Sequence, residues 1–215
     1  MANLFPKWTN RLPLKLALCV LVLGIGAVFG INYYFTQKYT QVGHEPQQPV
    51  PFSHAMHVRQ LGMDCRYCHS FVEVAAHANL PTTGSCMACH TQIRATSPKL
   101  DAVRESWMTG RPVRWARVHQ APDYVYFNHA VHVNRGVSCF SCHGAVNEMI
   151  TVYQATPQSM ASCLECHRAP ENFLRPPNGI FNMAWKPPTD AKPIGANWKK
   201  TWEVNPPVTC GGCHR

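Results

Sequence analysis

Five copies of the pattern Cys-x-x-Cys-His carry the most specific chemistry in this chain. Two thiols separated by two residues can form thioether bonds with the two vinyl groups of one haem, and the histidine that follows becomes an axial ligand of its iron. The pattern predicts five covalently bound haem c groups. In chain order the copies are motif 1 (Cys65, Cys68, His69), motif 2 (Cys86, Cys89, His90), motif 3 (Cys139, Cys142, His143), motif 4 (Cys163, Cys166, His167) and motif 5 (Cys210, Cys213, His214).

Other uses of paired cysteines do not explain the pattern. A zinc site can be built from two such pairs, but it needs no histidine directly after each pair. A disulfide framework needs no histidine at all. The motifs use ten of the 11 cysteines, and the remaining one, Cys19, lies in an apolar stretch where it reads as a small apolar residue.

Seven histidines lie outside the motifs, and a low-spin electron-transfer haem needs a sixth iron ligand, usually His or Met. We predict one distal ligand per haem, and we interpret His44 and His77 as surface residues. The sequence leaves the pairing open, although His54 with the first haem and His129 with the third are natural choices. Met149 or Met160 is an alternative ligand for one haem, whose potential it would raise. The predicted distal ligands are His54, His57, His119, His129 and His132.

The chain contains an internal duplication. Residues 51–69, PFSHAMHVRQLGMDCRYCH, are repeated at 126–143 as YFNHAVHVNRGVSCFSCH, and a second motif follows in each case. Ser53 and Asn128 are good N-caps, and Gly62 and Gly136 are good C-terminal stops. We therefore predict two equivalent two-haem cassettes, each opening with a short helix that carries two histidines; in the first it runs from residue 54 to 61.

The composition is unusual for a packed globule. The 215 residues include 18 prolines and only 14% charged residues. Since roughly 35 residues remain per haem once an apolar segment is set aside, a conventional aliphatic core is out of reach. The predicted fold is mostly irregular, with short α-helices wrapped around haems that form the core. The net charge of +9 does not indicate nucleic-acid binding, because five haems add about ten propionate charges.

Residues 16–37 contain no charge and suit one membrane crossing, with Tyr33, Tyr34 and Phe35 at one interface. Lys7, Arg11 and Lys15 precede the segment, which predicts a cytoplasmic N-terminus and a periplasmic haem region at a bacterial inner membrane. The alternative is a cleaved signal peptide, which would have a shorter apolar region and a cleavage site between small residues. No such site follows, so an uncleaved anchor is favoured.

The predicted organisation follows from these features. It comprises an anchor with its cytoplasmic stub (1–38), a linker (39–50), the first cassette (51–90), a connector (91–125), the second cassette (126–167) and a C-terminal segment (168–215) that ends in motif 5. The connector has helical spacing over residues 100–107, with Trp107 and Trp115 placed to pack on porphyrin or on a partner. Eight prolines between Arg168 and Val208 predict an extended, irregular chain.

The two cassettes are similar to those of class III cytochromes c. The segments VRESWMTGRPVRWARVH, DYVYFNHAVHVNRGVSCFSCHG, CLECHRAPENFLRP and NPPVTCGGCHR make residues 50–215 resemble the pentahaem membrane-anchored cytochrome subunit of bacterial alternative complex III. The first forty residues match only in being an anchor. The resemblance carries over the five motifs and the five distal histidines, and leaves His44 outside the pattern.

This resemblance implies an electron-transfer subunit of a respiratory quinol-oxidising complex, with no substrate site of its own. Its partners would be polytopic membrane and iron–sulfur subunits, with a cytochrome c or a terminal oxidase as acceptor. Two other functions stay open. One is a free-standing membrane quinol dehydrogenase that feeds a periplasmic reductase. The other is a multihaem enzyme, which would need an open iron position. All five motifs end in histidine and distal candidates suffice for every iron, which disfavours the enzyme.

Overall fold

The computed structural model describes residues 6–33, 40–189 and 192–214, in two units, Met1–Gln41 and Val42–Arg215. In the first unit a 3₁₀-helix, Lys7–Arg11, leads into a 20-residue α-helix, Leu12–Ile31. Pro13 lies in the first turn, where its missing N–H costs no hydrogen bond. The span Trp8–Ile31 is long and apolar enough to cross a membrane, and a signal sequence would pass the same test. The predicted interface residues Tyr34 and Phe35 lie outside the described residues.

The second unit consists of short helices joined by irregular segments, and its described residues form no strand. Two isolated antiparallel bridges, Val125 with His214 and Val137 with Leu174, supply the only β-type pairing among them. The predicted architecture of short helices and irregular chain is confirmed in this respect. The α-helices are Cys65–Cys68, Thr83–His90, Asp101–Thr109, His129–Val133, Cys139–His143, Met160–Arg168, Pro177–Ile180, Lys192–Thr201 and Cys210–Cys213.

The two cassettes begin alike. The Ser53 hydroxyl accepts a hydrogen bond from the Met56 N–H (3.2 Å), and the Asn128 side chain accepts one from the Val131 N–H (3.3 Å). The helical segments are stopped by Gly62 and Gly136, which have φ angles of +69° and +86°. The predicted short helix of the first copy is a π-helix, Ala55–Gln60, whereas that of the second is an α-helix, because the Leu61 N–H reaches back five residues to the Met56 carbonyl.

Few apolar side chains are buried. One cluster joins Val50, Met87 and Val103, and a second joins Val72, Val133 and Ile180. The first cluster holds the helices Thr83–His90 and Asp101–Thr109 together, with Trp115 packed at its edge. Clusters of this size contribute little against the conformational entropy of such a chain. That haem completes the core stays a prediction.

The C-terminal segment differs from its prediction. In place of a wholly extended chain it forms the helices Pro177–Ile180 and Lys192–Thr201. Pro177 and Pro193 do not prevent this, because both lie in first turns. The second helix packs on residues 170–172, where Lys199 donates to the Glu171 carboxylate at 2.8 Å. The number of prolines therefore does not by itself predict an extended chain in this segment.

Candidate haem-binding sites

Each motif lies on a short helix, and this places its two thiols on one face. Residues three apart on a helix are neighbours, so both cysteines of a motif can reach the same porphyrin edge. Side-chain caps fix where three of these helices begin. Asp64 accepts from the Arg66 N–H, Ser138 from the Phe140 N–H and Ser159 from the Ser162 N–H. All ten motif thiols are unpaired, and no group of three metal-ligating side chains forms in the described ranges.

Six histidines share one arrangement that suits an iron ligand. In each, Nδ1 donates to a backbone carbonyl 2.7–2.9 Å away, which fixes the tautomer and leaves the Nε2 lone pair for a metal. Both cassettes repeat one such bond, from His57 to Ser53 and from His132 to Asn128. The six are three motif histidines, His69, His90 and His167, and three predicted distal ligands, His57, His129 and His132.

Three histidine pairs have the separation that an intervening iron requires. An imidazole nitrogen lies about 2 Å from a first-row metal ion and about 1 Å from its own ring centre, so two rings on opposite sides of one iron have centroids roughly 6 Å apart. The observed distances are 6.2 Å for His57 with His90, 6.2 Å for His132 with His167 and 6.5 Å for His129 with His143. The residues present therefore fit bis-histidine haem at motifs 2, 3 and 4.

The duplication extends this pattern to motif 1. The first histidine of the second cassette, His129, faces motif 3, so its equivalent His54 should face motif 1. The pKa of His54 is lowered to about 4, first by burial and then by the neighbouring His69 and His57. Its Nδ1 is buried without a hydrogen-bond partner, whereas the equivalent atom of His129 bonds to Ala76. The alternative ligand Met149 is also buried, and its carbonyl accepts from the Ala55 N–H.

His119 does not form a pair of this kind with a motif histidine. Its Nε2 is 3.4 Å from Nδ1 of His143, and the two rings meet edge-on with centroids 4.4 Å apart. This is the position that a backbone carbonyl takes at the six histidines above. The predicted role of His119 as a distal ligand is therefore not supported by this geometry and stays a prediction.

Motif 5 has an aromatic neighbour that the sequence reasoning missed. The ring of Tyr124 lies over that of His214 with centroids 5.6 Å apart. The bridge from Val125 to His214 and the hydrogen bond from the Tyr126 N–H to the Cys213 carbonyl (2.7 Å) hold the two segments together. The signal available in the sequence was the pair of tyrosines around the start of the second cassette, Tyr124 and Tyr126.

Burial keeps the central histidines neutral, which is the form that ligates iron. The pKa of His143 is lowered to about 3, first by removal from water and then by the nearby His119 and His129.

The remaining residues singled out in the sequence lie outside these pairs. His44 and His77 are exposed, as predicted for surface histidines, and Met160 is 65% exposed at a helix start. Trp107 lies against Gly84 of the motif 2 helix, and its packing on porphyrin or on a partner stays a prediction.

Thiols of different motifs are close enough to interact electrostatically. Burial is the main cause that raises their pKa values, to about 11 for Cys139 and Cys166, and charge repulsion from neighbouring thiols adds to it. Some of the contributing thiols belong to the same motif and others to a different one. Those of a different motif pair Cys68 with Cys86, Cys139 with Cys65, Cys142 with Cys163, Cys166 with Cys142, and Cys163 with Cys213.

Comparison with known proteins shows the family of this chain. The family described as cytochrome c7 and related cytochrome c matches residues 50–106 and 125–215, and thus all five motifs. A relative from Nitratidesulfovibrio vulgaris, the multihaem cytochrome c subunit of a menaquinone reductase, is 32% identical over 183 residues, which cover 75% of this chain and 83% of the relative. Membership of this family implies covalently bound haem c. The chain belongs to the family of cytochrome c7 and related cytochromes c.

Proposed function

We propose that this chain is a membrane-anchored pentahaem cytochrome c that transfers electrons within a respiratory quinol-oxidising complex of the alternative complex III type. When bound, each haem iron takes up and releases one electron. The chain's own residues hold the five haems through the motif cysteines, orient the axial imidazoles through their Nδ1 hydrogen bonds and exclude water from the central ligands.

The observation that carries the proposal is the set of three histidine pairs 6.2–6.5 Å apart. At these three irons two histidines would leave no position for a substrate, which suits a carrier and disfavours a multihaem enzyme. We therefore expect no substrate site on this chain. The assignment of five haems rests on the five motifs.

The link to quinone chemistry is supported by the relative, whose name gives it as a menaquinone reductase subunit. The family resemblance described above points to quinol oxidation. The partners would be polytopic membrane and iron–sulfur subunits on the quinone side, and a cytochrome c or terminal oxidase as acceptor. The helix Leu12–Ile31 would anchor the chain in the inner membrane with the haem unit in the periplasm.

The test is to tag the chain at its C-terminus, extract it in mild detergent and identify the proteins that copurify. We expect polytopic membrane and iron–sulfur subunits, and we expect quinol to reduce the haems of the assembly but not those of the isolated chain. The mass of the purified chain also shows whether the apolar helix is retained.

Two results would support other functions. Recovery of the chain alone, with its haems reduced directly by quinol, would overturn the proposal and favour a free-standing quinol dehydrogenase. The relative's name favours a second candidate, a complex that works in the opposite direction. In that case haems reduced beforehand would pass electrons to menaquinone in the purified assembly, and added quinol would leave oxidised haems unchanged.

A further inference from the structure

We propose that the five haems form one row in the order motif 2, motif 1, motif 3, motif 4, motif 5, so that motifs 2 and 5 are its two ends. This deepens the proposed function, since the row would then be the electron path and electrons would enter and leave it at those ends. The order in space differs from the order along the chain because motif 1 is the part of the first cassette that faces the second.

Neighbours within a cassette follow from the paired histidines. His54 and His57 lie on one helical turn, where residues three apart are adjacent. His57 faces the histidine of motif 2, and the duplication assigns His54, the equivalent of His129, to that of motif 1. One turn therefore serves two haems and brings them side by side. In the second cassette His129 and His132 do the same for motifs 3 and 4.

The cassettes meet through the segment that links motif 1 to motif 2. Nδ1 of His129 donates to the Ala76 carbonyl (2.8 Å), and the Ala130 N–H donates to the Ala75 carbonyl (3.2 Å). The side chain of Asn134 adds a bond to the Glu73 carbonyl (2.9 Å). These bonds seat the histidine turn of the second cassette directly on residues 73–76. The ligand of motif 3 is thus fixed by the loop that follows motif 1.

The chemistry-bearing groups of motifs 1 and 3 accordingly lie close together. Val72, which follows motif 1, is buried in one cluster with Val133 of the second cassette's histidine turn. Motif 2 is joined to motif 1 by the first cassette's histidine turn, whose His57 faces His90. The first cassette therefore runs from motif 2 to motif 1 as it approaches the second.

Motif 5 continues the row from motif 4. Nδ1 of His167 donates to the Pro207 carbonyl at 2.7 Å, so the segment just ahead of motif 5 orients the motif 4 histidine. The last motif is thus attached to the second cassette next to motif 4.

The order can be tested by removing haems one at a time from the isolated, detergent-solubilised chain. The variant Cys65→Ala/Cys68→Ala lacks the motif 1 haem, and Cys86→Ala/Cys89→Ala lacks the motif 2 haem. Since reduction changes the charge of each iron, a missing haem shifts the midpoint potentials of its direct neighbours. A spectroelectrochemical titration resolves the remaining four. We expect two shifted potentials without the motif 1 haem and one without the motif 2 haem.

The alternative order, following the chain, predicts the reverse, namely one shifted potential without the motif 1 haem and two without the motif 2 haem. That result, or equal numbers for the two variants, would overturn the proposal. Haem content measured as pyridine haemochrome confirms that four haems remain. If a variant does not fold, His69→Met and His90→Met keep the haem attached and raise its potential, so the same neighbours shift. Because the isolated chain is titrated without quinone, the outcome is independent of which complex contains it.

Discussion

At the residue scale the cysteines make the five sites alike, and the histidines make them different. Every motif offers the same two thiols on one helical face, so the covalent bonds do not distinguish one haem from another. The second axial ligand does, because His57, His129 and His132 each face a different motif histidine. Substituting one distal histidine should therefore affect one haem.

We expect His132→Ala to convert only the motif 4 haem from low spin to high spin. The ring of His132 lies opposite that of His167, and alanine leaves the sixth position of that iron open. Electron paramagnetic resonance should show one more high-spin haem than in the unchanged protein, with unchanged haem content. His77→Ala is the matched control, because His77 is exposed and its loss should leave the spin state of every haem unchanged.

The pairing is then tested in a background that lacks the motif 4 haem. In a Cys163→Ala/Cys166→Ala chain, the further change His132→Ala should add no high-spin signal, because the haem that His132 serves is gone. A new high-spin haem in this background would show that His132 ligates a different iron.

The ligands within the motifs were predictable from the sequence, whereas the distal ligands were predictable only in part. The spacing Cys-x-x-Cys-His is local, so it identifies its residues without any knowledge of the fold. The role of His119 depends on which ring it meets once the residues around it have folded, and the structure brings it to Nδ1 of His143, 24 positions further along the chain. Tyr124 was missed for the same reason, since its neighbour His214 is far away in the chain.

At the element scale the duplication makes the cassettes comparable position by position. Their caps and stops were predictable, because a cap depends on residues within one turn. The glycine stops, however, lie in different surroundings. A side chain at Gly62 would meet nothing within 4 Å, whereas one at Gly136 would overlap the ring of Trp202 and lie 3.0 Å from the Arg175 carbonyl. The contact with Trp202 could not be predicted, since Trp202 follows the helix Lys192–Thr201, and the many prolines of this segment predict an extended chain there.

Gly136→Ala should therefore destabilise the haem-loaded protein more than Gly62→Ala does. Both substitutions place alanine at positive φ, which costs about 1 kcal/mol or more. Only the first also forces Trp202 to move, and overpacking of this kind costs about 1–3 kcal/mol in addition. Thermal unfolding followed by circular dichroism compares the two variants directly. Equal losses would show that Trp202 adapts without cost.

At the scale of the whole molecule the fold brings together motifs that are distant in sequence. Motifs 1 and 3 are 70 or more residues apart, yet their thiols and histidines interact, while the buried apolar clusters remain small. The sequence predicts how many haems bind and where each is attached. The sequence does not predict the proposed order of the haems, because that order depends on how the turn His129–Val133 packs on the loop after motif 1.

A row with motif 3 at its centre predicts a specific defect when that haem is removed. Cys139→Ala/Cys142→Ala should leave two pairs of haems, motifs 2 and 1 on one side and motifs 4 and 5 on the other, separated by a gap. Since electron transfer slows steeply with distance, rapid mixing of the purified assembly with its reductant should reduce two haems in a fast phase and two in a much slower one. Removing an end haem leaves the other four in contact. In the Cys210→Ala/Cys213→Ala and Cys86→Ala/Cys89→Ala variants, all four haems should therefore be reduced in a single phase at the rate set by electron input. Fast reduction of all four haems in the motif 3 variant would place that haem outside the path.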